Sequence, residues 1–471
     1  MNDETTSLRA ALAAPELLLA PEWLLLDEGP APGQAVHLAG GRIADVGPLD
    51  ALRQRHPQLA PLALPRRLLM PGFVDTHHHL TQSFGKALAF GEPSEIFRRI
   101  WVPLEASLDA RSLYLAAKLA SLEALRGGFT TVCDAGTRAQ SGLEAIAQAT
   151  QDAGIRCVLG LTCNDAGTDA AGRAALQAAA ARHLAGFAGQ PLLHPSLAIS
   201  IPEAASDEQL HAISRMAAEA GAVFQVHVNE HLASVERSLV ARGQRPLEHL
   251  DAAGALGPQA LIAHATMVTP TEMLRLRDTG TAVAYNPVAS SWKGNAVADA
   301  PMMAALGIRF GLGTDGTRSD GFRLMDAAET AQRLTQGLAN GDSSCGAGWL
   351  WTEAATGAGA DAAGLRAVTG RIAPGLAADL LLLDLDVPEL CPSWDLGWEL
   401  VRLAARDQIE AVLVAGRLRL WKGWPVDWDA RALMEEVRRV AREDVARAPI
   451  HKVHPVSPAH RAAAAAQRQS R

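Results

Sequence analysis

The chain has 471 residues, a formal charge of −8, 48% hydrophobic and 20% charged residues and 41 glycines. That is ample material for a large core, and an acidic balance without a concentrated Lys/Arg stripe argues against a nucleic-acid surface, since phosphate binding needs clustered cations. No uninterrupted apolar run reaches the roughly 20 residues of a membrane span, the start carries acidic Asp3 and Glu4 where an export signal would be basic, and five widely spaced cysteines fit a reducing compartment, so small-molecule chemistry in the cytoplasm is expected.

In chain order, the first β-rich segments are 16–26 and 35–46, the latter with a Gly40-Gly41 turn, and they read as a hairpin. An apolar run over 68–75, passing through Pro71-Gly72, predicts a buried strand. Further strands are predicted over 129–134, 157–162, 197–201, 223–228, 260–264, 282–285 and 309–313. Between them, segments 110–126, 142–153, 172–187, 207–220 and 271–278 carry Ala, Leu, Glu and Arg at helical spacing. Eight alternating strand and helix units predict a (β/α)8 TIM-like barrel, in which functional residues gather at the C-terminal strand ends. Segments 378–385 and 410–420, with an Ala415-Gly416 turn, look like partners of the N-terminal strands. The expected organisation is a composite β-sandwich domain from both chain ends (1–66 and 371–429), a barrel over 67–370, and a C-terminal helix and tail over 430–471.

Four predicted strand ends carry groups that suit a metal. The first ends in Asp75-Thr76-His77-His78-His79; alternate strand residues share a face, so His77 and His79 point together and His78 points away. The fifth offers His227, with Glu230 three residues on, the sixth offers His264, and the eighth offers Asp315 among glycines. Singly, such residues are more often solvated, satisfied core histidines or helix caps. Together, at the same ends of strands one, five, six and eight, they suit metal-assisted hydrolysis. His77, His79, His227 and Asp315 supply three nitrogens and a carboxylate, acceptable to zinc or iron(II). Glu230 is then placed to move a proton, His264 to hold the attacking oxygen or a substituent of the attacked carbon, and Asp315 to receive a proton as well.

The series Pro71-Gly72-Phe73-Val74-Asp75-Thr76-His77-His78-His79, His227 with Glu230, Ala263-His264, and Gly313-Thr314-Asp315-Gly316 closely resembles the amidohydrolase superfamily, in particular its aminohydrolase branch. The resemblance continues through Gly370-Arg371-Ile372-Ala373-Pro374-Gly375 and covers nearly the whole chain. It implies one divalent metal, zinc ahead of iron(II), on His77, His79, His227 and Asp315, with Glu230 as proton shuttle and His264 beside the attacking oxygen. It also implies hydrolytic deamination of a small heterocycle of the purine, pterin, pyrimidine or triazine type, releasing ammonia. Halide, alkylamine or cyclic-amide hydrolysis by the same site is the alternative, and a non-catalytic scaffold a distant one. Two-metal relatives resemble one another in a bridging lysine or glutamate near the third or fourth strand, where this chain has Ala198-Ile199-Ser200-Ile201-Pro202, with Glu203 close by.

Substrate clues are fewer. The Gln82 amide could read a lactam edge, and Trp101 and Trp292 could stack on a planar ring, against the plain readings of solvated loop and core. Arg98, Arg99 and Arg318 are candidate anion contacts, with solvated surface as the alternative. Tyr285 stands where the family resembles a histidine, and 200–202 lacks the histidine of nucleoside-type deaminases, which disfavours an adenosine-like ligand. The expected partners are a small-molecule substrate and, through the Trp-rich segment 421–428, a second copy in a homodimer; neither nucleic acid nor membrane is expected.

Overall fold

The computed structural model describes residues 2–92, 96–139, 142–187, 189–453 and 457–469. Eight parallel strands follow one another around a barrel: Phe73–His78, Phe129–Asp134, Arg156–Thr162, Leu193–Ile199, Phe224–Val228, Ala260–His264, Ala282–Tyr285 and Phe310–Leu312. The Asp315 amide, just past the eighth, donates to the His77 carbonyl at 2.8 Å and brings the last strand back to the first. Helix starts follow local chemistry: Asp109, Asp169 and Ser206 each accept a backbone N–H of the first turn, and Thr269 with Glu272 forms a capping box. Gly154, Gly243 and Gly280 end helices in the left-handed conformation.

A second, nine-stranded sheet draws on both chain ends. Its path runs Trp424–Pro425, Arg417–Trp421, Ile409–Val414, Leu380–Asp384, Pro61–Pro71, Glu16–Leu26, Gln34–Ala39, Arg42–Pro48, with Gly29–Pro32 paired to Glu16–Leu26. Strands from both halves of this path share one apolar cluster, including Leu19, Val36, Ile43, Leu69, Leu382 and Leu413, so the sheet curls around its own core. The Gly40-Gly41 turn meets the Ala415-Gly416 turn there: a Cβ on Gly41 would stand 2.8 Å from the Ala415 carbonyl oxygen. Glu16–Leu26 pairs antiparallel with Gln34–Ala39, as the hairpin reading expects, and the segment 35–46 itself folds back at the Gly40-Gly41 turn, where Gln34–Ala39 pairs with Arg42–Pro48.

The run predicted as one strand over 68–75 is two. Pro61–Pro71 belongs to the small sheet and Phe73–His78 to the barrel, with the switch at Gly72. The Gly72 amide donates to Asp379 O and the next amide, Phe73, donates to Gly128 O, both at 2.9 Å, so consecutive residues feed different sheets. A Cβ at Gly72 would lie 2.2 Å from the Thr130 side chain, which is why the crossing carries no side chain.

A buried ion pair ties the two units close by. Arg156, at the start of the third barrel strand, meets Asp379 at 2.9 and 3.2 Å, and Asp379 also accepts the Ala415 amide at 2.7 Å. Both side chains are essentially sealed from water. Removing one partner leaves an uncompensated buried charge, so Asp379→Ala is expected to cost about 3–5 kcal/mol. Urea denaturation checks this; a change under about 1 kcal/mol contradicts the assigned role.

Helix Ala430–Arg447 packs its Leu433, Val437 and Val440 on Leu115 of helix Ala110–Arg126. Within the tryptophan-rich segment 421–428, Lys118 covers Trp428, and Arg126 and Arg431 flank Trp424. The alanine-rich tail forms a helix, Ser457–Gln469.

Candidate metal centre

The first barrel strand ends at His78, and the pleat does what its parity requires. His78 turns outward to Ser319 Oγ at 3.2 Å, while His77 and His79 face inward. There they meet His227 from the fifth strand and Asp315 from beyond the eighth, and one ligand atom from each of these four lies within 4.8 Å of the others. His79 Nε2 stands 3.2 Å from His227 Nε2, and Asp315 Oδ1 lies 3.4 Å from both His77 Nε2 and His79 Nε2.

The donor chemistry fits a cation. His227 Nδ1–H donates to the Ser200 carbonyl at 2.7 Å, leaving the Nε2 lone pair directed into the cluster. Two imidazole nitrogens that face each other at that distance, with a carboxylate oxygen closing the set, gain most from a positive ion between them. His77 Nε2 is buried without a hydrogen-bond partner among the described residues, an arrangement normally disfavoured unless something fills it. Asp75 braces the site from behind, accepting from the Thr314 amide (2.9 Å), the Thr314 hydroxyl (2.5 Å) and the His77 amide (3.2 Å). Asn229, His264, Ala265 and Asp315 all adopt positive φ, so backbone strain of roughly 1–3 kcal/mol each is concentrated at these strand ends.

Beside the four ligands, Glu230, His264 and Asp315 form a second cluster within the same 4.8 Å limit. His264 Nε2 lies 3.6 Å from Glu230 Oε2, and Asn286 Nδ2 lies 3.2 Å from His264 Nδ1. Lys293 was not read from the sequence as a site residue, yet its ammonium bridges Glu230 (2.7 Å) and Asp315 (2.6 Å). Its only sequence signal was proximity to Trp292. Burial alone would raise the Glu230 carboxyl, but His264, Lys293 and His231 hold it well below the usual range. Asp315 is likewise held down against its burial, by Lys293 first and then by His77 and His79. Burial disfavours the Lys293 cation, and the two carboxylates outweigh that and raise its pKa.

Gln82, Trp101 and Trp292 line the cavity above His79, His227, Glu230 and Asp315, and Arg138, Glu203 and Lys293 join them. Trp292 is anchored by its indole N–H on Thr317 Oγ1 at 3.1 Å. Of the candidate arginines, Arg99 bonds Glu92 at 2.8 Å and Arg318 meets Asp320 at 3.4 Å; neither they nor Arg98 is among the cavity walls. Tyr285 is buried in the barrel wall, its hydroxyl donating to Ala328 O (3.3 Å) and accepting from Gln332 (2.8 Å), so the phenol is structural. Glu203 belongs to neither ligand cluster.

Burial pushes the His264 and His78 imidazoles from 6.5 down to about 3, and burial with Arg156 nearby pushes His194 down to about 4. The unfolded chain protonates these residues near 6.5 while the folded protein keeps them neutral. Stability from this source is therefore complete above pH 6.5 and declines as pH falls toward 4 and 3. Burial also raises the Asp75 and Asp134 carboxyls, to about 7 and about 6, which shifts stability in the opposite direction over this range. Three imidazoles outweigh two carboxyls, so metal-free protein in chelator should show a lower urea midpoint at pH 5 than at pH 7.5; an equal or higher midpoint contradicts the neutral buried imidazoles.

Barrel, appended sheet and strand-end cluster define the class, a barrel hydrolase. The chain belongs to the amidohydrolase family, whose model matches residues 68–419. Residues 36–58 match the imidazolonepropionase-like composite domain of bacteria. A similar relative is the 5-methylthioadenosine/S-adenosylhomocysteine deaminase of Nitratidesulfovibrio vulgaris, 30% identical over 419 residues, which are 87% of this chain and 92% of the relative. Another is the 5'-deoxyadenosine deaminase of Methanopyrus kandleri, 28% identical over 91% of this chain and 96% of its own. Among solved structures, an adenosine deaminase from Xanthomonas campestris with bound zinc has a TM-score of 0.83 and 25% identity, covering 92% of this chain and 98% of that one. The zinc complex of an Arthrobacter aurescens atrazine chlorohydrolase, at TM-score 0.77 and 19% identity over 91% of this chain and 100% of its own, is alike in fold. Among the described residues, no helix is long and apolar enough to cross a membrane.

Proposed function

We propose that the protein is a metal-dependent deaminase that hydrolyses the amino group from a small nitrogen heterocycle and releases ammonia. The observation that carries this reading is the position of Glu230, an ionised carboxylate in reach of His264 and next to a cluster of three histidines and an aspartate. Deaminase relatives support the reaction type. A divalent cation on His77, His79, His227 and Asp315 would supply a Lewis acid and lower the pKa of a water from about 15.7 to about 7. Zinc is favoured over iron(II) by the zinc in the Xanthomonas campestris adenosine deaminase.

The chain's own residues supply the proton traffic. As water oxygen bonds to the ring carbon, Glu230 takes the water proton and returns it to the departing nitrogen when the C–N bond breaks, so the amine leaves neutral. This requirement favours an amine over chloride, which leaves without a proton. With the Asn286 amide donating to His264 Nδ1, the neutral imidazole keeps its proton on Nε2 and offers it toward Glu230 and the attacked carbon's substituent. Lys293 holds Glu230 beside Asp315.

The relatives are named for adenosine-type nucleosides, but the residues at the end of strand four favour a compact amino-heterocycle as this protein's substrate. At the end of strand four, Ser200 takes a hydrogen bond from Asn164 at 2.9 Å where nucleoside deaminases resemble one another in a histidine. Gln82, Trp101 and Trp292 line the cavity, so the amide is available to a ring edge and the indoles to its faces. Ammonia release by zinc-loaded protein from aminopurines, pterins, aminopyrimidines and aminotriazines tests the reading; hydrolysis of members of the panel without ammonia would overturn it.

A further inference from the structure

Resting on the deaminase reading, we infer that Glu105 is a positioning residue that orients Gln82 and Arg138 to recognise a ring lactam, the N–H next to a C=O. Glu105 lies in helix Val102–Ala106 and is wholly buried. One oxygen, Oε1, accepts Thr81 Oγ1 at 2.9 Å and Gln82 Nε2 at 3.3 Å. The other, Oε2, accepts both the amide and the Nη1 of Arg138 at 3.2 Å.

A carboxylate paired with a guanidinium only accepts hydrogen bonds, so it must face the NH2 end of the Gln82 amide. The Gln82 carbonyl is thereby turned away from Glu105 as an acceptor. Arg138 is held beside it by the second oxygen of the same carboxylate, with guanidinium N–H groups to spare, and both residues line the cavity over the metal ligands. Acceptor and donor side by side match a ring N–H and its neighbouring carbonyl. An adenine ring has no such edge, so the clamp selects amino-substituted lactams such as guanine, isocytosine or pterin over adenine or melamine.

The test is steady-state kinetics of zinc-loaded Glu105→Gln. A glutamine at 105 can donate as well as accept, so it no longer fixes the Gln82 amide and no longer pairs the Arg138 charge. KM for guanine, isocytosine or pterin should rise at least tenfold with kcat within about threefold, while KM for adenine or melamine stays within twofold and zinc content is unchanged. In a background carrying both Gln82→Ala and Arg138→Met, Glu105→Gln should add less than twofold. Should Glu105→Gln not fold, Arg138→Lys, which keeps a cation on Glu105 but loses the forked guanidinium donors, must raise the lactam KM alone. Equal losses on both substrate groups, a fall in kcat without a KM change, or wild-type activity confined to adenine and melamine overturns the inference. Wild-type protein that releases no ammonia from any of these compounds overturns the deaminase reading itself, a distinct failure.

Discussion

Glu230→Gln keeps its zinc and loses turnover by about 10²–10⁴-fold, the usual contribution of a positioned acid and base. Glutamine preserves the shape and, through its carbonyl, the contact with Lys293 that Glu230 Oε1 makes at 2.7 Å. It cannot take up a proton at all. Since Glu230 is in neither the His77, His79, His227 and Asp315 set nor any bond to its histidines, metal content should stay at the wild-type level. Loss in kcat with KM little changed is the expected signature. Retention of more than a tenth of wild-type kcat would move the proton transfer to another group.

His227→Ala should lose both metal and activity. Three ligands remain, but the Nε2 that faces His79 at 3.2 Å is gone, and the Ser200 carbonyl loses the donor that kept that ring in place. The barrel should survive, because the Asp315 carboxylate keeps its Lys293 partner at 2.6 Å. The discriminating readout is thermal: wild-type protein should gain Tm when zinc is added, about 2.7 kcal/mol of stabilisation at one hundred times Kd, and His227→Ala should gain almost none. A zinc-dependent rise in Tm as large as that of wild type would remove His227 from the ligand set.

The two variants fail differently because the site has two adjoining parts, and the parts were not equally legible in the sequence. The ligands stood out because each is a polar residue closing an apolar run, and a barrel places all such ends on one rim. His77 and His79 could be paired and His78 set aside from strand parity alone. Lys293 and Glu105 gave no such signal: one sits at the end of helix Pro287–Lys293, the other in a short helix, and each gains its meaning from carboxylates or amides far away in sequence. Tyr285 was conspicuous by position, yet its direction depends on Gln332, 47 residues on.

The fold shows the same division. Strand identities followed from β-branched and apolar runs between capped helices, and seven of the eight barrel strands need only end shifts. The exception is the run through Pro71-Gly72, where hydrophobicity is continuous but hydrogen bonding is not, so two strands of different sheets read as one. Hydropathy reports burial, and both halves of that run are buried. Only the partner strands, from 129–134 and 380–384, reveal the switch.

The most direct test of the centre is anomalous scattering at the zinc edge from crystals of the zinc-loaded wild-type protein. A single peak enclosed by His77, His79, His227 and Asp315, with Glu230 beside it and outside its coordination, is the predicted result. A peak elsewhere on the barrel, two peaks sharing Glu203, or no peak at saturating zinc would contradict the account.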